Sequence, residues 1–457
     1  MSASFHLGLS NSIPQLKLIC YFSISKMTKK SQRKVRSLHE ISENYFERFG
    51  FAKPALNEPC SPETKIIIVI PCFDEPALIE TLDSLKRCKP TDCEVEVIVV
   101  INSSIDASVD VLSSNERCFQ EAIDWAKTGS TLKIKFRILN FPSLPKKHAG
   151  VGLARKIGMD EALHLFAQIE FNGAIVCLDA DCKVSENYLT EIENKFARKK
   201  DLEFCSIYFE HPYKNISENE KSGIIQYEMH LRYYVQALKF AGYPFAFHTV
   251  GSSMGVKAET YAFQGGMNKR KAGEDFYFLH KLAPICRPVH LLNAQVYPSP
   301  RISKRVPFGT GRAMSDWLKT EGQVFNTYNF QLFADLQTFF GQVEQFFPDG
   351  FEIQLKNIYK NLPEPVLLFL KANHFAGVLK EIRKNTSSKS AAVKKIWAWL
   401  NGFRVLKFVH FATEKFYPKK PVVTQTQILL QKTGISDCKI HSPEELLSVL
   451  RKLDAGD

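Results

Sequence analysis

The sequence has little that would suggest a disulfide-stabilised, zinc-binding or membrane-spanning protein. Its eleven cysteines are odd in number and scattered, without a CxxC pair or a Cys/His cluster at zinc spacing, so neither a disulfide framework nor a zinc site is expected. The uncharged stretch 240–256 contains three glycines and a proline, which makes it a poor transmembrane helix. We therefore expect a globular protein in a reducing compartment, the cytoplasm.

The amino terminus also lacks the features of a signal peptide. Its apolar stretch 16–24 is interrupted by Lys17, follows no basic residue and precedes no clear cleavage site. A polar, basic segment follows Met27, which makes residues 1–26 a candidate misplaced start.

Composition and charge are those of an ordinary globular protein with a basic excess. The 457 residues are 45% hydrophobic and 24% charged, which excludes a disordered or collagen-like chain. Sixty basic against 48 acidic side chains give a net charge of +12. Such an excess suits a nucleic acid, an anionic membrane surface or a phosphate-bearing small molecule, so charge alone does not select the partner.

Apolar, β-branched runs alternate with helical patterns through the first two thirds of the chain. This alternation is typical of a largely parallel α/β sheet. After about Arg312 the alternation stops and long helix-like stretches follow. The pattern predicts a basic extension with a helix over 1–60, an α/β domain over 61–312 and a helical domain over 313–457. Strands are predicted at 66–70, 95–101, 132–138, 174–178 and 204–209, and a helix at 149–171.

Acidic residues directly follow two of the predicted strands. Pro71, Asp74 and Glu75 come after strand 66–70 and form a bend with side-chain acceptors suited to a base or ribose, although they are equally suited to cap the next helix. Asp179 and Asp181 follow strand 174–178 as a DxD motif. Because residues i and i+2 of an extended segment point the same way, the two can converge on a Mg²⁺ or Mn²⁺ ion. The alternative is a pair that caps the helix near Ser185.

Two further segments complete the predicted site. Glu274 and Asp275 follow Gly273. A partly desolvated Asp275 is suited to act as a general base. The alternative is that Asp275 caps helix 276–282, and both roles are compatible. The segment 301–312 is basic and contains Gly309 and Gly311. Its Arg305 and Arg312 are candidates for holding phosphate oxygens.

In their order and spacing, these motifs resemble an inverting family 2 glycosyltransferase of the bacterial, soluble type with the GT-A fold. The similar segments are 70–75, Gly152-Leu153-Ala154-Arg155, Asp179-Ala180-Asp181, 251–255 with the glycines at 265–266, and Gly273-Glu274-Asp275. The resemblance covers roughly residues 65–312. It departs from the family pattern at Asp74, where an asparagine is usual, and at Asn102-Ser103-Ser104, where an acidic pair is usual, which leaves the nucleotide base open.

The resemblance implies a role for each residue. Pro71, Asp74, Glu75 and Asn102 would lie near the nucleotide, and Arg155 would line the donor pocket. Asp179 and Asp181 would bind ribose and metal, and Asp275, with Glu274 beside it, would be the catalytic base.

The implied activity is transfer of a sugar from a UDP- or GDP-sugar, with Mg²⁺ or Mn²⁺ as cofactor. The implied acceptor is a glycan, a lipid-linked or a small hydroxyl compound, and no nucleic-acid partner is expected. The basic segments leave room for peripheral contact with the inner membrane surface. A nucleotidyltransferase and a noncatalytic scaffold with the same fold are the alternatives.

Overall fold

The computed structural model describes residues 36–199, 203–286, 288–302, 309–319, 324–346, 358–435 and 442–456. Residues from Ser37 onward form one compact unit. The nine cysteines in the described part of the chain are not disulfide-bonded. No helix in these ranges is long and apolar enough to cross a membrane.

The strands and helices alternate through the first part of the chain, and helices dominate the rest. The strands are β1 Thr64–Cys72, β2 Glu94–Ser104, β3 Ile134–Leu144, β4 Ala174–Cys177, β5 Cys182–Val184, β6 Phe204–Phe209, β7 Met254–Lys257, β8 Pro288–Pro298, β9 Asn326–Thr327 and β10 Lys420–Pro421. The helices up to the end of the large sheet are α1 Leu38–Phe49, α2 Leu78–Lys86, α3 Val109–Gly129, α4 Val151–Gln168, α5 Tyr188–Ile192, α6 Glu218–Phe240, α7 Ala258–Phe263 and α8 Glu274–Leu282. The helices after it are α9 Thr310–Trp317, α10 Phe330–Phe340, α11 Glu364–Ala372, α12 Phe375–Lys384, α13 Lys389–Trp399, α14 Gly402–Lys415, α15 Val422–Lys432 and α16 Pro443–Ala455.

One eight-stranded sheet, in the order β3-β2-β1-β4-β7-β6-β8-β5, forms the centre of the molecule. Neighbours β3, β2, β1 and β4 are parallel. β7 runs opposite to both β4 and β6, and β8 is parallel to β6. Strands β1, β2, β3, β4, β6 and β8 therefore all point the same way. The predicted fold class, a mostly parallel sheet flanked by helices with a helical carboxyl-terminal part, is confirmed.

The central strand β1 is buried on both faces. Ile66, Ile68 and Ile70 pack in a core with α2 and α3, whereas Ile67 and Val69 pack in a second core with α4. This arrangement explains why β1 is a continuous apolar run rather than an alternating one.

All five predicted strands and the predicted helix exist, with shifted ends. The largest shift is in β3, which begins two residues later than predicted and continues to Leu144. The sequence pattern does not predict β5 and β7, because they are only three and four residues long.

The carboxyl-terminal helices share a core with α6, the long helix that follows β6. Phe333 of α10 is fully buried in this core, with its ring centroid 5.8 Å from that of Tyr233 in α6. The helical region therefore packs directly on an element of the sheet domain.

Replacement of this aromatic ring tests the shared core. We expect Phe333→Ala to lower the free energy of unfolding by about 3–5 kcal/mol, because it leaves a cavity in a fully buried site. Urea unfolding measures the change. Phe263→Ala is the matched control, since Phe263 is 64% exposed. Equal, small effects of the two substitutions would contradict the shared core.

Candidate active site

A cavity of about 600 Å³ lies at the edge of the sheet where the co-directional strands end. The carboxyl ends of parallel strands form the ligand crevice of open α/β sheets. Five of the six co-directional strands, β1, β2, β4, β6 and β8, contribute a lining residue at or just beyond their ends, in chain order Pro71, Asn102, Asp179, His211 and Arg301. The topology thus brings together residues that are up to 230 positions apart in the sequence.

Most of the predicted site residues line this cavity. They are Pro71, Glu75, Asn102, Arg155, Asp179, Asp181, Glu274 and Asp275. Their roles as ligands of substrate or metal remain predictions. Arg305 lies outside the described residues.

Asp74 and Arg312 do not line the cavity. Asp74 adopts a left-handed backbone conformation, with φ of 49°, and accepts a hydrogen bond from the Ser114 hydroxyl at 2.8 Å. Arg312 is exposed on α9 and donates to Asp316 at 2.7 Å. Neither side chain belongs to the lining of the cavity in this conformation.

Arg155 is the buried cation that joins two parts of the site. Its Nη2 donates to Asp179 Oδ1 at 2.5 Å, and its Nη1 donates to Glu274. Burial lowers the pKa of Arg155, but the carboxylates of Asp179 and Glu274 outweigh burial and hold that pKa above its usual value. The end of β4 and the start of α8 are therefore tied together by one guanidinium.

Gly251 makes room for this guanidinium. A Cβ atom at position 251 would lie 2.8 Å from both terminal nitrogens of Arg155, which is too close for any side chain. The glycine therefore follows from the packing of Arg155.

The acidic pair at the start of α8 has raised proton affinity. Burial raises the pKa of Glu274 to about 7, and the charge of Asp275 adds to this against the opposing effect of Arg155. Burial also raises the pKa of Asp275, although Arg155 lowers it. Asp275 Oδ1 accepts from the Phe276 N–H at 2.7 Å, and Asp275 both lies in the first turn of α8 and lines the cavity. The first-turn position expected from the sequence is therefore present, and the role as a general base stays a prediction.

Arg301, at the end of β8, is a second cation among the site carboxylates. Its Nη2 contacts Glu75 and lies 3.4 Å from Asp181 Oδ2. Arg301 therefore connects the segment after β1 with the DxD motif. From the sequence, Arg301 is expected among the basic residues that bind the donor diphosphate, and its pairing with these two carboxylates is not expected.

The donor set suits a divalent cation shared with a ligand. Five carboxylates, those of Glu75, Asp179, Asp181, Glu274 and Asp275, line the cavity against Arg155, Lys271 and Arg301. The side chains of Asp179 and Asp181 are 39% and 29% exposed, so a cation can reach both. Within the described ranges, no group of three or more His, Cys, Asp or Glu side chains could hold a metal. The carboxylates of Asp179 and Asp181 are a small set of protein ligands. Such a set suits Mg²⁺, because this ion keeps several waters and substrate phosphates as ligands.

Asn102, at the end of β2, presents a polar atom with no partner. It is 2% exposed and lines the cavity, and its Oδ1 has no hydrogen-bond partner among the described residues. Asn115 of α3 fixes its position, since Asn115 Nδ2 donates to the Asn102 carbonyl at 3.0 Å. Because a buried polar atom usually has a partner, a ligand is the natural partner of Oδ1.

Sequence reasoning missed His211, Tyr227 and Thr310, which also line the cavity. His211 follows β6 by two residues, so the strand-end argument used for Asp179 would have found it. Tyr227 lies in the middle of α6 and carries no comparable signal.

Residues 67–257 match the family model described as glycosyl transferase family 2. The matched segment contains β1, β2, β4, β6 and β7, and with them Pro71, Asn102, Arg155, Asp179 and Asp181. The fold and cavity thus define an α/β domain with a ligand site at its strand ends. The match covers less than half of the chain, and it agrees with the resemblance to family 2 glycosyltransferases seen in the sequence.

Comparison with solved structures gave several distant similarities. TarS residues 1–349 from S. aureus in complex with UDP-GlcNAc is 12% identical, with 73% of this chain and 90% of that chain covered and a TM-score of 0.35. The mannosyltransferase PcManGT from Pyrobaculum calidifontis in complex with GDP-Man and Mn²⁺ is 14% identical, with 83% and 98% covered and a TM-score of 0.34. At TM-scores below 0.5 these similarities carry no argument. No curated protein matches the chain.

The raised pKa of Glu274 predicts a pH-dependent stability. Its folded-state value of about 7 lies above the ordinary 4.5, so the folded protein binds more protons between these values. The contribution of Glu274 to the free energy of unfolding is then fully present below about pH 4.5 and is lost as the pH rises towards 7. We expect Glu274→Gln to flatten the fall in the free energy of unfolding between pH 5 and 7, measured by urea unfolding. The exposed Glu414→Gln is the control, and parallel profiles of the wild type and Glu274→Gln would rule out this assignment.

Proposed function

We propose that the chain is a metal-dependent glycosyltransferase that moves a sugar from a nucleoside-diphosphate sugar to an acceptor hydroxyl, with inversion at the anomeric carbon. The main support for this proposal is that Asp179, Asp181 and Asp275 line one cavity. The part of the chain that contains the two DxD aspartates matches the glycosyl transferase family 2 model. A nucleotidyltransferase or scaffold function gains no comparable support.

Asp275 is the general base in this proposal. A base must take a proton from the acceptor hydroxyl as the new glycosidic bond forms, and a carboxylate with raised pKa is suited to this task. Asp275 has that raised pKa and a position on the cavity wall. Arg155, held by Asp179 and Glu274, keeps the base region and the metal region at a fixed separation.

The DxD carboxylates and the cations of the cavity act on the donor. Asp179 and Asp181 would hold the divalent cation, which supplies positive charge to the diphosphate leaving group when bound. Asn102 Oδ1 accepts a hydrogen bond from the base or the ribose. Lys271, which lines the cavity, adds positive charge against the donor or an anionic acceptor. Cytoplasmic location and contact with a membrane surface remain predictions.

A turnover assay tests the activity itself. The full chain is incubated with UDP-glucose, UDP-GlcNAc or GDP-mannose, with MnCl₂ or EDTA, and with glycerol or water as acceptor. We expect release of nucleoside diphosphate from at least one donor with Mn²⁺ and none with EDTA. Release of sugar 1-phosphate, with transfer of the nucleoside monophosphate to the acceptor, would identify a nucleotidyltransferase, and no release from any donor would contradict the proposal.

Removal of the base gives the sharpest test of the mechanism. We expect Asp275→Asn to lower kcat by about 10²–10⁴-fold, because the amide cannot accept the proton, while the Kd for the nucleoside diphosphate changes little. Steady-state kinetics and titration calorimetry measure the two quantities. Asp124→Asn is the control, since Asp124 is exposed on α3 and pairs with Lys127. Wild-type kcat in Asp275→Asn would exclude Asp275 as the base.

Removal of a metal ligand should act on binding instead. We expect Asp181→Ala to abolish the increase that MnCl₂ produces in the affinity for UDP or GDP, because one of two protein ligands is lost. Titration calorimetry with and without MnCl₂ measures this. Asp110→Ala, at an exposed position of α3, should leave the metal dependence intact. A Mn²⁺ effect of full size in Asp181→Ala would remove Asp181 from the metal site.

A further inference from the structure

A chain of hydrogen bonds leads from the carboxyl-terminal helix to the cavity wall. His211 is 2% exposed and lines the cavity. Its Nδ1 lies 3.0 Å from Glu228 Oε2, and its Nε2 lies 3.0 Å from the Thr310 hydroxyl oxygen. Thr310 lines the same cavity between Gly309 and Gly311. The imidazole thus spans from a buried carboxylate to a hydroxyl on the cavity wall.

The partners of Glu228 fix the direction of these hydrogen bonds. Burial opposes ionisation of Glu228, but Arg232, His211 and Arg451 outweigh it and hold the pKa of this carboxyl well below its usual range. An ionised carboxylate only accepts hydrogen bonds, so Nδ1 of His211 carries the proton. In the neutral imidazole, Nε2 is then a hydrogen-bond acceptor, and the Thr310 hydroxyl donates a hydrogen bond to it.

The orientation of Thr310 determines what the cavity wall offers to a ligand. With its proton directed at His211, the Thr310 oxygen presents only lone pairs elsewhere, one to the neighbouring Tyr227 hydroxyl and one to the cavity. A substrate group that meets this oxygen must therefore be a donor, such as a sugar hydroxyl.

The same wall lies on the side of Asp275. Tyr227 also lines it, with its ring centroid 5.8 Å from that of His211. Burial chiefly raises the pKa of Tyr227 to about 12, with the Thr310 hydroxyl opposing and the charge of Asp275 contributing. Because Asp275 lines the same cavity, the wall and the proposed base face a common space. The acceptor must enter this space to reach Asp275.

Arg451 of α16 holds the other end of the chain. Its Nε and Nη2 donate to the two oxygens of Glu228 at 2.8 and 2.9 Å. Its Nη2 also donates to the His211 carbonyl at 3.2 Å. A bidentate guanidinium–carboxylate pair fixes geometry as well as charge. The last helix of the chain thus holds both the partner and the backbone of His211.

We propose that His211 is a positioning residue that fixes the Thr310 hydroxyl as a hydrogen-bond acceptor for a hydroxyl of the acceptor substrate, and that α16 maintains this arrangement through Arg451. This inference rests on the proposed glycosyltransferase function. It gives the carboxyl-terminal helix a role in the site that lies more than 140 residues earlier in the sequence.

A pair of substitutions at Thr310 tests the hydrogen bond. Thr310→Ser keeps the hydroxyl, whereas Thr310→Val replaces it with a methyl group of similar shape. With glycerol as acceptor and the donor of highest turnover, we expect Thr310→Val to raise the KM for glycerol about 3- to 10-fold, the range of one neutral hydrogen bond. Thr310→Ser should stay near the wild type, and the Kd for the nucleoside diphosphate should not change in either variant. Equal KM values for glycerol in the two variants would overturn the role of Thr310.

A second pair, at neighbouring residues of α16, tests the coupling without any substrate. Arg451→Gln removes the guanidinium from Glu228, whereas Lys452→Gln removes an equal charge at an exposed position. In hydrogen–deuterium exchange of the free protein, we expect Arg451→Gln to speed exchange of the peptide covering residues 309–317 at least fivefold, and Lys452→Gln to leave it unchanged. Exchange in β1 should not change, which excludes global unfolding as the cause.

The two experiments separate the inference from the function on which it rests. Unchanged exchange at residues 309–317 in Arg451→Gln, or equally faster exchange in β1, would overturn the coupling whether or not the chain transfers sugar. If the wild type released no nucleoside diphosphate from any donor, the proposed function would fail, and with it the substrate role of Thr310. The exchange experiment would still decide whether α16 positions His211.

Discussion

The buried guanidinium of Arg155 is the interaction on which the site depends. It joins Asp179, at the end of β4, to Glu274, at the start of α8. Breaking a buried ion pair by removing one partner costs about 3–5 kcal/mol, because the remaining charges stay buried. Arg155 thus sets the distance between the proposed metal ligands and the proposed base, and the packing of Gly251 follows from it.

The cavity is built from charges that neutralise one another in part and leave an acidic excess. Arg155 contacts Asp179 and Glu274, and Arg301 contacts Glu75 and Asp181. Each arginine thus joins one aspartate of the DxD motif to a carboxylate from another segment. The remaining negative charge favours a divalent cation, and the cation in turn favours a diphosphate. The net charge of +12 is therefore a poor guide to the site, since the chemistry lies in a local cluster of opposite sign.

Much of the fold and of this cluster could be predicted from the sequence, because both depend on local patterns. The apolar run of β1 and the acidic residues after β1 and β4 are adjacent in sequence to the strands that position them. The contacts made by Arg301, His211 and Arg451 could not be predicted, since they join elements more than 80 residues apart. At Asp74 the local pattern is misleading. This residue has a left-handed backbone and accepts a hydrogen bond from the Ser114 hydroxyl, and its side chain does not line the cavity.

A crystal structure of the full chain with Mn²⁺ and a nucleoside diphosphate tests the central claim most directly. Anomalous scattering locates Mn²⁺ independently of the model for the protein. The account predicts one anomalous peak about 2–2.5 Å from a carboxylate oxygen of Asp179 or Asp181, with the diphosphate bound to the same ion and Asp275 facing the site of the missing sugar. A nucleotide bound outside this cavity, or Mn²⁺ bound away from both aspartates, would contradict it.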